Sequence, residues 1–251
     1  MCRLIGAVSR HPDTVRDLFA DDLEPFLRLA CEHDDGWGLA VRTPNGTVDS
    51  VKEPEPAFAG PRLRPLLDTS TTDAVLLHLR MASPSFAVSG PNTHPFGDSD
   101  MAFAHNGDFS PAGALDEVIG PDLLASAGGD TDSERFYLAV RRRVDDGVGP
   151  VKAIMQAAQD IRVLADRFVS LNCLLLTADG LYAYTEHDPH SEVIGRRGAG
   201  YFGLHYRTTE DGRVVVASTG WEQPEPEWEA LPERHVLELT PGTLARTVHG
   251  G

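Results

Sequence analysis

The chain is poor in cysteine, with three in 251 residues, poor in positive charge, with 22 Lys and Arg against 38 Asp and Glu, and free of long apolar runs. Each shortage excludes something. Cys2, Cys31 and Cys173 are too few, and odd in number, for a disulfide framework; they fit a reducing compartment, so a cytoplasmic protein is expected. Cys31 and Cys173 lie in the apolar runs Leu27 to Cys31 and Leu171 to Leu176 and read as core residues. A formal charge of −16 argues against nucleic acid as a partner, because phosphate binding needs clustered Lys and Arg. The one basic run, Arg141-Arg142-Arg143, falls in a predicted helix and reads as a solvated face balanced by Asp145 and Asp146. No segment approaches the ~18 apolar residues of a membrane span, and no basic stretch with a long apolar sequel opens the chain, so no membrane partner is expected. No glycine-rich phosphate loop joins a strand to a helix, and His187-Asp188-Pro189-His190 has no third ligand at a metal-site spacing. Neither a cofactor nor a metal is therefore expected.

What is present is enough apolar sequence, 41%, to bury a substantial core. No internal repeat or linker divides the chain, although Glu222 to Pro232 reads as an acidic, proline-rich loop, so one domain over 1–251 is expected. The first residues, Met1 to Val8, read as a buried strand, and His11-Pro12-Asp13 opens a helical pattern through Val15, Leu18, Phe19, Leu23, Phe26, Leu27 and Ala30. Gly36 to Arg42 and Thr47 to Val51 form a hairpin about Pro44-Asn45-Gly46. A proline-dense stretch, Pro54 to Pro65, covers a sheet edge with a short helix near Arg62 to Leu67. Ala74 to Ala82 is a buried strand, and Met101 to His105 is another that stops at Asn106-Gly107-Asp108. Thr131-Asp132-Ser133-Glu134 is a capping box that launches a helix through Phe136, Tyr137, Val140 and Val144, and a second helix follows from Val151 to about Phe168. Strands are expected at Asn172 to Thr177, Leu181 to Glu186, Gly200 to Tyr206, Val214 to Ser218 and Val236 to Thr240. The order, strands then two helices then strands, suits two buried sheets with helices packed outside them, an α/β or α+β layered domain.

Cys2 carries the chemical interest. Removal of Met1 leaves a thiol and a free α-amine on one residue, a nucleophile joined to a base that titrates near ~7.7–8. Polar residues also gather at the ends of buried strands: His78-Leu79-Arg80-Met81-Ala82-Ser83, His105-Asn106-Gly107-Asp108 and Gly129-Asp130-Thr131-Asp132-Ser133-Glu134. Asp35-Gly36-Trp37-Gly38 and Asn92-Thr93-His94-Pro95-Phe96 complete the set. Taken singly, Arg80 reads as a strand-end ion pair, Asn106-Gly107 as a turn and Asp132 as a helix first-turn residue.

In this order after a second-position cysteine, these motifs resemble the glutaminase domain of class II glutamine amidotransferases, which are N-terminal nucleophile hydrolases. The likeness is closest to the small stand-alone members. It implies a four-layer αββα sandwich of two stacked, mainly antiparallel sheets, with a mature chain starting at Cys2. It also implies roles. Cys2 matches the nucleophile; the Asn106 side-chain amide and the Gly107 backbone N–H match the oxyanion hole. Arg80 matches the arginine that holds the substrate α-carboxylate, and Asp132 the aspartate that receives its α-ammonium. His94 and Trp37 match residues lining the site.

A free amino acid head group carries both charges, so one fixed cation and one fixed anion suit it. The expected reaction is hydrolysis of a γ-glutamyl amide, in glutamine or in a γ-glutamyl conjugate, through a thioester on Cys2. A glutaminase subunit that hands ammonia to a synthase partner chain and a non-catalytic γ-glutamyl-binding module remain as alternatives. Where many fused members carry a tryptophan after the arginine this chain has Met81, and where they carry Thr-His-Gly it has Ser83-Pro84-Ser85. These departures leave hydrolysis in place and speak against ammonia channelling.

Overall fold

Strands whose two faces are both apolar need cover on both, and this chain provides it by stacking two sheets and laying helices over each outer face. The computed structural model describes residues 1–83 and 85–250. Thirteen strands are present among them: β1 (Arg3–Thr14), β2 (Trp37–Arg42), β3 (Val48–Glu53), β4 (Thr71–Leu79), β5 (Phe96–Gly97), β6 (Met101–Ser110), β7 (Arg167–Thr177), β8 (Leu181–Thr185), β9 (Leu204–Thr208), β10 (Val214–Ser218), β11 (Glu229–Ala230), β12 (His235–Thr240) and β13 (Ala245–Gly250). They form a seven-stranded sheet, β11-β9-β10-β1-β4-β2-β3, and a six-stranded sheet, β13-β12-β8-β7-β6-β5. The pairings within both sheets are antiparallel.

The helices are α1 (Val15–Phe19), α2 (Leu23–Arg28), α3 (Leu63–Thr69), α4 (Asp116–Ile119), α5 (Pro121–Leu124), α6 (Asp132–Asp145), α7 (Pro150–Leu164) and α8 (Glu192–Arg197). Side-chain alternation along the strands sorts the core into layers. Leu4, Val8, Ala74, Leu76, Ala102, Ala104, Leu174 and Leu237 meet between the sheets. Ile5, Ala7, Val75, Leu77 and Leu79 turn outward under α1, α2 and α3, against Leu18, Phe26 and Leu67. Phe103, Leu171, Cys173 and Leu175 turn the other way, under Phe136 and Val140 of α6 and Ile154 and Ile161 of α7. The result is the expected four layers.

Several local expectations are corrected. β1 runs on to Thr14, with an irregular register between Val8 and Asp13, so His11-Pro12-Asp13 belongs to a strand. The helix starts at Val15, where the Thr14 hydroxyl accepts the Asp17 N–H at 3.1 Å. Its periodicity does not carry one helix to residue 30, because the backbone breaks at Ala20 (φ 45°) and resumes as α2. Cys31 falls beyond α2 and is exposed, whereas Cys173 is buried as expected. β6 does not stop at Asn106; it pairs with β7 through Gly107 and Asp108 and, after an irregularity, to Ser110. α7 ends at Leu164, and Phe168 already lies in β7. Among the described residues no helix is long and apolar enough to cross a membrane.

Candidate active site

Arg3 of β1 pairs with Leu79 of β4, so the chain positions just beyond that pair are Cys2 and Arg80, and alternation turns both toward the intersheet layer. The Cys2 Sγ lies 3.5 Å from both the amide nitrogen and the carbonyl oxygen of Met81. Burial pushes the Cys2 thiol up from its ordinary pKa, while the neighbouring terminal ammonium, the Met81 backbone and Arg80 act in the opposite sense. With Met1 in place, the terminal amine donates to the Met81 thioether at 2.7 Å, and burial lowers its pKa, favouring the neutral amine. The thiol and the terminal amine of the unprocessed chain thus lie together at one strand end.

Arg80 is buried and spends its guanidinium on backbone, donating to the carbonyls of Asp35 (3.4 Å) and Ala87 (3.1 Å). Among the described residues it has no carboxylate ion pair, which overturns the strand-end ion pair as an explanation for it. The Ala87 carbonyl also accepts from the Asn92 side chain at 3.2 Å, and Asn92 Oδ1 in turn accepts the Asp130 N–H at 3.1 Å. These bonds tie the segment after β4 to the segment before α6, around Arg80.

On β6 the alternation Ala102, Ala104, Asn106 sends the asparagine between the sheets. Asn106 is fully buried, and neither its amide nitrogen nor its amide oxygen has a partner among the described residues. Leaving such groups unpaired costs about 1–3 kcal/mol each. Its neighbour is the contrast: His105 faces outward, with Nδ1 2.9 Å from the Ser133 hydroxyl and Nε2 3.0 Å from the Ser170 carbonyl. Gly107 admits no side chain, since a Cβ there would stand 1.7 Å from the Ser170 oxygen.

Asp132 opens α6, where the Thr131 hydroxyl accepts the Glu134 N–H at 3.1 Å. The Glu134 carboxylate accepts from Gly128 and Gly129, at 2.8 Å each, fixing the entry loop. Asp132 Oδ2 accepts the Phe109 N–H at 2.9 Å, at the irregularity of β6. Burial, with help from the charge of Asp108, pushes its carboxyl up to about 7.

His94 and Trp37 part company. The His94 ring lies tilted over His78 at 4.2 Å and edge-on to Phe96 at 4.6 Å, and none of the ring nitrogens of His78 and His94 has a partner among the described residues. Burial holds both histidines well below their usual pKa, so they are neutral. Trp37 instead turns outward into the core under α1 to α3, with Leu39 and Leu79, away from the face that carries Cys2. The glycine after it has the nearer connection: a Cβ on Gly38 would stand 2.0 Å from the His94 carbonyl oxygen.

A cavity of about 820 Å³ opens at Met1 and Met81, the neighbours of Cys2, and is bounded also by Asp108, Val169, Arg197 and Tyr201; Cys2, Arg80, Asn106 and Asp132 do not line it. The Arg3 guanidinium lies 4.3 Å from the centre of the Tyr201 ring, which lines the cavity, and donates to the Cys2 carbonyl at 3.3 Å. Sequence reasoning did not assign His78, although a polar residue on the inward face of an otherwise apolar strand was a signal. It also missed Arg197 and Tyr201, which sit on a segment without a motif. Pro84, within the Ser83-Pro84-Ser85 departure, lies outside the described residues, as does Gly251. Among the described residues no group of three His, Cys, Asp or Glu is arranged to hold a metal ion.

Three comparisons bear on this arrangement. A family model described as "Glutamine amidotransferases class-II" matches residues 1–249. No curated protein matches the chain. Among solved structures, a glutamine aminotransferase class-II domain protein from Silicibacter pomeroyi is similar at 20% identity and a TM-score of 0.71, with 99% of each chain covered. A glutamine phosphoribosylpyrophosphate amidotransferase from B. subtilis is similar at 13% identity and a TM-score of 0.64, with 99% of this chain and 49% of that one covered. A predicted glutamine amidotransferase from Pseudomonas aeruginosa is similar at 19% identity and a TM-score of 0.58, covering 96% and 98%. At these identities the structures speak for the fold, which is that of the N-terminal nucleophile hydrolases. With the family model spanning 1–249, the chain belongs to the class II glutamine amidotransferases, enzymes that act on the amide of glutamine.

Proposed function

We propose that the protein is a cysteine-dependent amidohydrolase that cleaves a γ-glutamyl amide, in glutamine or in a γ-glutamyl conjugate, through a thioester on Cys2. Removal of Met1 frees the Cys2 α-amine, which takes the thiol proton as sulfur attacks the γ-carbonyl. The Asn106 amide and the Gly107 N–H stabilise the oxyanion, and the amine returns its proton to the leaving nitrogen as the C–N bond breaks. Water then attacks the thioester, releasing glutamate and restoring the thiol. Arg80 holds the substrate α-carboxylate and Asp132 its α-ammonium; the ammonium draws the Asp132 proton off by favouring its charged form. His94 and the backbone of Gly38 shape the wall behind them.

The observation that carries this reading is Asn106. An amide buried with neither end bonded, in the layer that also receives Cys2 and Arg80, is a cost the fold bears without structural return. A preorganised donor for an oxyanion explains it. The test is intact mass alongside glutamate release: the purified chain begins at Cys2 and liberates glutamate from a γ-glutamyl amide. Equal release from a chain that still carries Met1 refutes the role of the Cys2 amine, and no release from a chain beginning at Cys2 refutes the hydrolase. Within the same assay, Arg80→Ala raises KM steeply.

A further inference from the structure

Glutamine's leaving group is ammonia, which needs about the room of one water, roughly 30 Å³. The cavity at Met1 and Met81, the neighbours of Cys2, has about 820 Å³, inside the range of roughly 300–1,000 Å³ typical of sites for much larger molecules. Its walls are also not those of an ammonia outlet. Val169, on one wall, forms a small apolar cluster with Ile194 and Phe202 behind it, and the Met1 side chain packs against that cluster together with Val193 and Tyr201. The residue removed to free Cys2 therefore marks a seat, next in the chain to the nucleophile, that takes an apolar side chain of about the size of methionine's.

The charges around that seat are unevenly used. Arg167 pairs with Asp108 at 3.2 Å, and Arg197 pairs with Glu32 at 3.5 Å while lying 5.5 Å from the Tyr201 ring centre. Asp188 accepts the His190 N–H at 2.9 Å. Arg196, on α8 with Glu192, donates only to the Glu192 backbone carbonyl, at 3.4 Å, among the described residues. An apolar seat with the exposed Arg196 guanidinium at its rim, near the carboxylates of Asp188 and Glu192, offers an amino acid a place for its side chain and one cation for its carboxylate.

Resting on the hydrolase reading above, we infer that this cavity receives the leaving amine, and that this amine is an apolar α-amino acid. The preferred substrate is then a γ-glutamyl amino acid rather than glutamine. The chemistry balances as a hydrolysis: the γ-amide C–N bond breaks as a C–S bond forms, the amine nitrogen takes the thiol proton, and water replaces sulfur. The products are glutamate and the free amino acid, with no other reactant consumed.

Three substrates test the inference on the processed enzyme: γ-glutamyl-leucine, its decarboxylated counterpart γ-glutamyl-isopentylamide, and glutamine. The expected result is kcat/KM at least about tenfold higher for γ-glutamyl-leucine than for either of the others, the size of one charge-assisted hydrogen bond. Arg196→Ala then narrows the margin over the isopentylamide, and Val193→Asp narrows the margin of the isopentylamide over glutamine. Glutamine or the isopentylamide turned over as well as γ-glutamyl-leucine overturns the inference while leaving the hydrolase intact. Absence of glutamate from all three substrates sinks the hydrolase itself, and this inference with it.

Discussion

The space between the two sheets has two ends that are equally buried and differently furnished. At one end Leu76, Ala104, Leu174 and Leu237 fill it with apolar contacts and leave nothing polar to satisfy. At the other, the same strands deliver Cys2, His78, Arg80 and Asn106, with the side-chain amide of Asn106 and both ring nitrogens of His78 lacking partners among the described residues. The dry end is what burial favours. The polar end is held in place by the dry one, and the orphaned groups at it make sense as chemistry rather than as stability.

That contrast can be broken first at the nucleophile. Cys2→Ala is expected to cut glutamate release by at least about 1,000-fold, since no other group supplies the attacking atom; a continuous assay with glutamate dehydrogenase measures it. Next comes a pair of truncations at the two ends. Asn106→Ala should lower kcat by about 100- to 1,000-fold without lowering the melting temperature, because the atoms removed bond to nothing. Leu174→Ala at the dry end should cost about 2–5 kcal/mol of stability in a urea titration. Comparable destabilisation by both changes would erase the distinction between the ends.

A smaller effect is read against pH. The Asp132 carboxyl, at about 7 in the folded chain, lies above its unfolded value of ~3.9. The folded state therefore holds a proton that the unfolded chain has lost, and stability falls as pH rises from about 4 to about 7, then levels. Asp132→Asn removes that share of the slope; parallel urea titrations at pH 5 and pH 7.5 that show the same slope for wild type and variant contradict it. The smallest effect is expected from Cys31→Ser, within about 0.5 kcal/mol of wild type in the same titration, as suits an exposed thiol.

The layered fold was legible because its signals are local and repeated. The apolar run of β4, the Asn-Gly hairpin of β2 and β3, and the Thr131 N-cap of α6 each carry a rule that tertiary contacts did not override, although Glu134 turns to Gly128 and Gly129 rather than closing the capping box. What misled was punctuation. Asn106-Gly107 looks like a turn, yet the glycine sits in mid-strand because β7 brings the Ser170 carbonyl against it, a long-range contact no short window contains. Likewise the helical period through Ala30 runs past the point where the backbone breaks at Ala20, and the apolar run Leu27 to Cys31 put an exposed cysteine in the expected core.

For the site, the motifs mark strand ends that the fold brings together, such as Cys2 and Met81, but not which face each side chain takes. Trp37 sits in a site-like motif and turns into the outer core, while Gly38 supplies the close approach to His94. His78 and His94 meet from two segments sixteen residues apart, and Tyr201 reaches Arg3 from the far end of the chain. These contacts depend on topology alone.

The most direct measurement is peptide mapping after treatment with 6-diazo-5-oxonorleucine, an electrophile shaped like glutamine. The account predicts one adduct, on Cys2 of a chain that has lost Met1, slowed by competing γ-glutamyl substrate, with Cys31 and Cys173 unmodified. Modification of Cys31 in place of Cys2, or labelling of Cys2 that substrate does not slow, would contradict it.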